Sequence, residues 1–526
     1  MNAETLYDVI TNLPDELIDE AETHRFRKSR AWVKWAAAAA AVIAVAVGVG
    51  GMVSGRIQTP FAAHSGGGGT GNGGENGQPY MFYAGPVLPL TAPNGAGGVT
   101  AERRVDYDFS PYATHTVTYG ENDGESYSYE MWLSEAIVTD AYTLKNETDE
   151  AVTLPLLYPA VLDLYDYSDR LPAITVNGQA AETTVYTGDY TGGFQGVLGA
   201  NDPDGSANLK PIRDWEGFEK LLSDGRYQAS AMEPLPSLNV PVTVYKVSDY
   251  VVAHTRAEYP SLQFSFKLDF SRTQVMTYGS NGGTNSPETG RCSRIVGGLG
   301  DEDCEPEPMY IILYGDDIDG YELQGYRNMG AEAGAEIDVT ATVTRYETTM
   351  DALIRQFVDK RMSDEHWNRH QDSPGPGTVC AALPRETLYG LFAKLLCDDG
   401  CFGDGPKDRY SFGILEDGFE AYSQQRVLYL AFDVTVPANG SVEVTAVMHK
   451  SPSRHYLSEP DKDTEDYDLA TRLGSTLELT EQRASVNHTE EIEMVGNSFG
   501  FDIENGVTEV TLDPAVDHYR MQVTKK

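Results

Sequence analysis

Five cysteines, Cys292, Cys304, Cys380, Cys397 and Cys401, are the residues of this chain best suited to covalent or metal chemistry. Their odd number forbids complete internal pairing. Cys292 with Cys304 would clip the glycine-rich stretch between them, and Cys380 with Cys397 or Cys401 would staple a helical segment. Each such loop is short, so the chain-entropy account gives about 2.5 to 3 kcal/mol apiece. A zinc reading sets Cys380, Cys397 and Cys401 beside His366 or His370, because His-x-x-x-His puts both rings on one helical face. That spacing matches no standard zinc template. The glutamate of His-Glu-x-x-His is also absent, which argues against metalloprotease chemistry. Asp316, Asp317 and Asp319 with Gly320, and Asp461, Asp463, Glu465 and Asp466, offer hard oxygens at the spacing calcium uses. With Gly320 at the sixth position of a calcium loop the twelfth is Tyr326, and with Asp461 first it is Arg472. Neither loop closes, and both read as solvated acidic turns. No Gly-x-Ser-x-Gly elbow, phosphate-binding glycine loop or Cys-His protease signature occurs. Paired glycosidase acids are set by distance in space and leave no linear spacing to read. The sequence therefore nominates no catalytic residue, no metal ligand and no cofactor.

The elements around these residues begin with an uncharged stretch, 35–55. At about 1.5 Å per residue it reaches roughly 30 Å as a helix, the thickness of a bilayer core. Arg25, Arg27, Lys28, Arg30 and Lys34 precede it, and only Arg56 follows before a neutral linker. The positive-inside rule then puts residues 1–34 in the cytoplasm and everything after residue 55 outside, with Trp32 and Trp35 at the interface. A cleaved signal peptide is the competing reading. It fits less well, because the basic preamble is long and Val53-Ser54-Gly55 is a poor cleavage site.

Within residues 1–34, Leu6, Val9, Ile10, Leu13 and Leu17 recur at the steps of one helical face. So small a segment cannot bury its own apolar stripe. Its many acids oppose an anionic lipid surface, so a cytosolic protein partner is the sharper expectation and a solvated tail the plainer one. The opening ETLYDVITNLPDELIDEAE, the basic patch and then WVKWAAAAAAVIAVAVGVGG resemble the N-terminus of single-pass surface proteins of Gram-positive bacteria. Some of these resemble membrane-bound anti-sigma factors. That resemblance implies a short cytoplasmic helix able to hold a sigma factor, and a signalling role.

Beyond the span, residues 56–79 include SGGGGTGNGGENG, a flexible tether with a reach of about 27 Å. A tether this loose transmits no torque. The chain carries 80 acidic against 39 basic side chains, a net charge of −41, which repels nucleic acid and anionic polymers. From residue 131 onward, short runs of β-forming residues alternate with turn signals, among them Asn177-Gly178 and Pro437-Ala438-Asn439-Gly440. Both are expected to close hairpins, as is the polar turn 146–150. Helices are expected at Asp214–Ser223, Glu347–Arg361 and Pro384–Leu396. The predicted fold is mainly β: an N-terminal transmembrane helix, then two antiparallel β-sandwich-like extracellular domains, 80–233 and 234–526. The second carries a helical insertion near 347–401. The run YTLKNETDEAVTLPLLYP, Tyr142–Pro159, resembles the repeated sandwich modules of bacterial cell-surface proteins. The expected function is a membrane-anchored, noncatalytic binding or structural protein of a bacterial envelope, held in lipid by its span. Its partner is an external protein or glycan, met in part by tyrosines. An anti-sigma-like signalling protein and a cell-surface hydrolase are the alternatives.

Overall fold

Period-two burial sets the strands. In β1 (Val99–Asp108), Val99, Ala101, Arg103, Val105 and Tyr107 are buried and the residues between them are not. The computed structural model describes residues 83–122, 125–162, 171–190, 212, 214–235, 237–253, 259–299, 306–329, 334–363, 384–398, 415, 425–454 and 464–526. After β1 come β2 (Ala113–Asn122), β3 (Glu125–Leu133), β4 (Ala136–Asn146), β5 (Val152–Leu162), β6 (Ala173–Val176), β7 (Gln179–Ala180) and β8 (Thr184–Tyr190). Helices α1 (Trp215–Leu222) and α2 (Arg226–Met232) follow. Next are β9 (Pro241–Val252), β10 (Ser261–Lys267), β11 (Gln274–Tyr278), β12 (Gly282–Ser286) and β13 (Arg291–Gly297). The run continues with β14 (Met309–Tyr314), β15 (Tyr321–Tyr326), β16 (Glu336–Ile337) and β17 (Val339–Thr349). Helices α3 (Met350–Ser363) and α4 (Arg385–Asp398) precede β18 (Arg426–Val436), β19 (Gly440–Lys450), β20 (Ser453–Arg454) and β21 (Glu465–Ala470). The last strands are β22 (Glu478–Asn487), β23 (Ile492–Asn497), β24 (Glu509–Thr511) and β25 (His518–Lys525).

The protein is mainly β, as the strand spacing predicts, and its pairings are mostly antiparallel. A seven-stranded sheet runs β24-β22-β1-β4-β19-β6-β7, with β1 and β22 parallel. A three-stranded sheet, β5-β18-β8, faces it across a shared core that holds Tyr142, Leu144, Val442 and Val444 with Leu154, Leu156, Leu428 and Leu430. The far side of this small sheet is covered by α1 and α2, through Phe218, Leu222 and Tyr227 against Val161, Val427 and Tyr429.

Two turns behave differently from expectation. Residues 146–150 and 437–440 do not close hairpins, because β4 and β5 lie in different sheets, and so do β18 and β19. Each connection is an arch from one sheet to the other. The reason lies in pairing: β4 bonds to β19 along its length and β5 to β18 along its length, so the two arches run side by side. Asn146 locks them. Its Nδ2 donates to the carbonyls of Glu150, Val436 and Pro437 at 2.8, 3.2 and 3.1 Å, and the Asn439 amide donates to Thr148 O at 2.9 Å. Asn177-Gly178 does make a tight turn, with φ of 48° and 74°, the paired positive angles of a type I′ turn. Its return strand is the two-residue β7. The next strand, β8, joins β18 instead of extending the hairpin.

The border expected at 233/234 likewise does not separate sheets, since β4 and β5 before it pair with β19 and β18 after it. What stands apart is the segment β9 to β17. It forms a five-stranded sheet, β12-β13-β10-β15-β16, and a four-stranded sheet, β11-β14-β9-β17, around a core of their own. The four-stranded sheet is buried on both faces. Val247, Met309, Ile311 and Leu313 meet the five-stranded sheet, whereas Val244, Tyr278, Tyr310 and Ile312 meet α3. Phe357 of α3 stacks on Tyr278 with ring centres 4.0 Å apart.

The predicted helices stand with shifted ends. Asp214 caps α1, its Oδ1 accepting from Gly217 N at 2.9 Å. Residues 347–349 extend β17 and leave α3 to begin at Met350. Among the described residues no helix is long and apolar enough to cross a membrane; the predicted span, 35–55, lies outside them.

Candidate binding face

The five-stranded sheet is built from strands whose alternate residues differ sharply in character. In β10, SLQFSFK, Leu262, Phe264 and Phe266 enter the core. Gln263, Ser265 and Lys267 therefore point the other way. The registers carry that division across the sheet. Thr284, Ser293, Ser265 and Glu322 form one outward row, and Gly282, Ile295, Gln263 and Gln324 form the next. Thr284, Lys267, Arg291 and Glu322 are exposed, and Gln263, Ser265, Ser293 and Gln324 are half-buried. The Thr284 and Ser293 hydroxyls are 2.8 Å apart, and Gln263 Nε2 donates to Ser265 Oγ at 2.8 Å.

At one end of this face lies Tyr259, which is 51% exposed. It rests over Gly297 and Gly298. A Cβ on Gly297 would sit 3.0 Å from Tyr259 Cε1, and one on Gly298, at φ 73°, 3.2 Å from the phenol oxygen. The glycines leave room for the ring, and Gly297 also for Met329, whose Sδ a Cβ there would strike. The face thus joins hydroxyls and amides, each able to donate and accept, to an open aromatic plate. Such a surface can hold many weak polar contacts and one stacking contact, and holds no nucleophile paired to a base.

The carboxylates of the loop between β14 and β15 are engaged by arginines and a tyrosine. Asp317 Oδ1 accepts from Tyr245 OH and from Ile318 N, both at 2.8 Å, while Oδ2 accepts from Arg345 Nε at 2.8 Å. Burial pushes the Asp317 carboxyl up, but the Arg345, Tyr245 and backbone donors together hold it below its usual range. Burial, aided by the Asp317 charge, pushes the Tyr245 phenol up to about 12. Asp316 pairs with Arg272 at 2.5 Å. Of the carboxylates read from sequence as calcium candidates, Asp316 and Asp317 are thus turned to arginines, as are Glu465 to Arg454 and Asp466 to Arg520, while Asp461 and Asp463 lie outside the described residues. No cluster of potential metal ligands occurs among the described residues.

Two buried clusters join the sheets elsewhere. Arg103 meets Asp140 through two parallel bonds of 2.9 Å, with both side chains fully enclosed. Tyr142 and Tyr158 donate to the same carboxylate at 2.8 and 3.1 Å, Arg103 Nη1 donates to Ala470 O at 2.6 Å, and Leu90 N donates to Tyr142 OH at 2.9 Å. Burial alone would lower the Arg103 pKa; the charge and hydrogen bonds of Asp140, with Tyr142 and Tyr158, together outweigh it and hold the guanidinium protonated. Farther along, Tyr83 OH donates to Asp468 Oδ2 at 2.5 Å, and His518 stacks on Trp215 at 4.4 Å. His518 Nε2 lies 3.2 Å from Asp468 Oδ2 but is not aligned for a hydrogen bond. The group fastens Trp215 and Tyr83 to β21 and β25. A depression lined by Leu88, Pro159, Leu222, Tyr429 and Leu473 carries no carboxylate, imidazole or thiol.

Comparisons with protein-family models, with curated proteins and with solved structures gave no match.

Of the residues singled out by sequence, Cys292 lies on β13 as a buried free thiol, pushed up to about 11 by burial. Cys397 lies on α4. Cys304, Cys380 and Cys401 lie outside the described residues, as do the basic flank Arg25, Arg27, Lys28, Arg30 and Lys34 and the apolar stripe Leu6, Val9, Ile10, Leu13 and Leu17. The outward rows of the five-stranded sheet were not singled out. Their signal was the strict alternation of SLQFSFK, which marks a strand with one wet face.

Proposed function

We propose that this is a membrane-anchored bacterial envelope protein whose extracellular, sandwich-like β region binds a neutral glycan without chemistry. The observation that carries the reading is the outer face of the five-stranded sheet, where Gln263, Ser265, Ser293 and Gln324 lie in register beside the open ring of Tyr259. Hydroxyl and amide groups in flat rows match sugar hydroxyls, and an exposed ring matches the apolar face of a pyranose. The net charge of −41 works against acidic polymers and leaves neutral ones as the fitting class. Anchoring rests on the 35–55 stretch and its basic flank.

The test uses the full chain in detergent micelles on an array of neutral and acidic glycans. Binding confined to neutral members, weakened at least tenfold in Tyr259→Ala and in Gln263→Ala/Gln324→Ala, is the expected result. Binding that ignores both variants, no binding at all, or release of shortened sugars would each overturn the proposal.

A further inference from the structure

Arg294 stands on the inward side of β13, opposite Phe264 of β10 and Gly283 of β12, and is 2% exposed. Its Nη1 donates to Ser293 O at 2.7 Å, Asn285 Oδ1 at 2.9 Å and Thr284 O at 3.3 Å. Among the described residues its Nε and Nη2 find no acceptor, although both are buried. These two nitrogens form the edge of a guanidinium whose parallel N–H bonds match the two oxygens of a carboxylate. No carboxylate pairs with Arg294 among the described residues. The contrast with Arg103 is direct, because there the same edge is filled by Asp140 at 2.9 Å on each side.

A cation enclosed without a counter-charge is costly, and burial lowers the Arg294 pKa to about 10. The surroundings nevertheless make room for it. At Gly283 a Cβ would come within 2.8 Å of Arg294 Cδ and 2.4 Å of Ser293 O, so glycine is what lets the side chain pass beneath β12. β12 is a strand of five residues that, among the described strands, pairs only with β13. An edge with a single neighbour is the part of a sheet that opens first, so it is the side from which a ligand would enter.

We infer that Arg294 is the receptor for a compact carboxylate, which enters past β12 and takes the Nε/Nη2 edge in a bidentate pair. This site lies on the opposite side of the sheet from the proposed glycan face and does not depend on it.

The probes are acetate, N-acetylglycine and glucuronate, titrated calorimetrically into the full chain in detergent at constant ionic strength, with chloride as the control anion. Saturable binding of acetate is expected, with a raised unfolding temperature. Arg294→Lys keeps the charge but loses the two-pronged edge, and should bind at least tenfold more weakly. Arg294→Met should lose the response and unfold no more readily than the parent without acetate. Binding of the larger acids as well would mark a peptide or sugar carboxylate as the source, and binding of acetate alone a free small acid. No saturable acetate binding, or equal binding in Arg294→Lys, would overturn the inference.

Discussion

A carboxylate that accepts from one arginine and two tyrosines inside a protein is a commitment made by single residues. Asp140 takes both prongs of Arg103 and the hydroxyls of Tyr142 and Tyr158, with no access to water. Burial holds both phenols well above their ordinary pKa, so they remain donors across the working pH range. Removing one partner strands the other's charge, which costs far more than never having buried the pair. Asp140→Ala should therefore destabilise the protein by about 3 to 5 kcal/mol in urea unfolding. The double variant Arg103→Met/Asp140→Leu, which removes both charges, should recover most of that loss. A double variant as unstable as the single one would show that the ion pair itself supplies the stability. None of this was legible in the sequence. Arg103 sits among Glu102, Arg104 and Asp106, and a charged run of that kind reads as a wet strand face. Only its partner β4, contributed by residues more than thirty positions on, turns it into core.

Elements were legible where a local backbone demand has a residue signature. The cap at Asp214 and the positive angles at Asn177-Gly178 are of this kind, and so is the apolar face of α3. The arches at 146–150 and 437–440 were not, since the same turn chemistry serves a hairpin or a crossing between sheets. What decides is which strand is available to pair, and that partner lies far away in the chain. Asn146 carries both arches through three carbonyls. Asn146→Ala leaves these acceptors without their donor, and a loss of about 1 to 3 kcal/mol is expected by thermal or urea unfolding. Local hydrogen exchange should rise at residues 146–150 and 437–440 together. Faster exchange in one arch alone would mean that they are not coupled. The wet rows of the five-stranded sheet are intermediate: the alternation of β10 was readable, but the registers that line Ser293 and Gln324 up beside it were not.

At the scale of the molecule, the sheets interleave the two halves of the sequence. The seven-stranded sheet takes β1, β4, β6 and β7 from the first half and β19, β22 and β24 from the second, so neither half holds a finished core. A fragment of residues 80–233 should lack dispersed amide signals and a cooperative thermal transition, whereas residues 80–526 should show both. A well-folded 80–233 fragment would restore the linear two-domain division. The parallel bond of β1 to β22 sets a further condition, on time. Synthesis runs from the amino end, so β1 waits through nearly four hundred residues of growth before Thr100 can meet Glu478. Distant pairings of this kind slow folding and leave nascent chains sticky in the interval. A cell making this protein must keep the young polypeptide shielded until its last hundred residues emerge, and a ribosome that stalls short of them releases a product that cannot close.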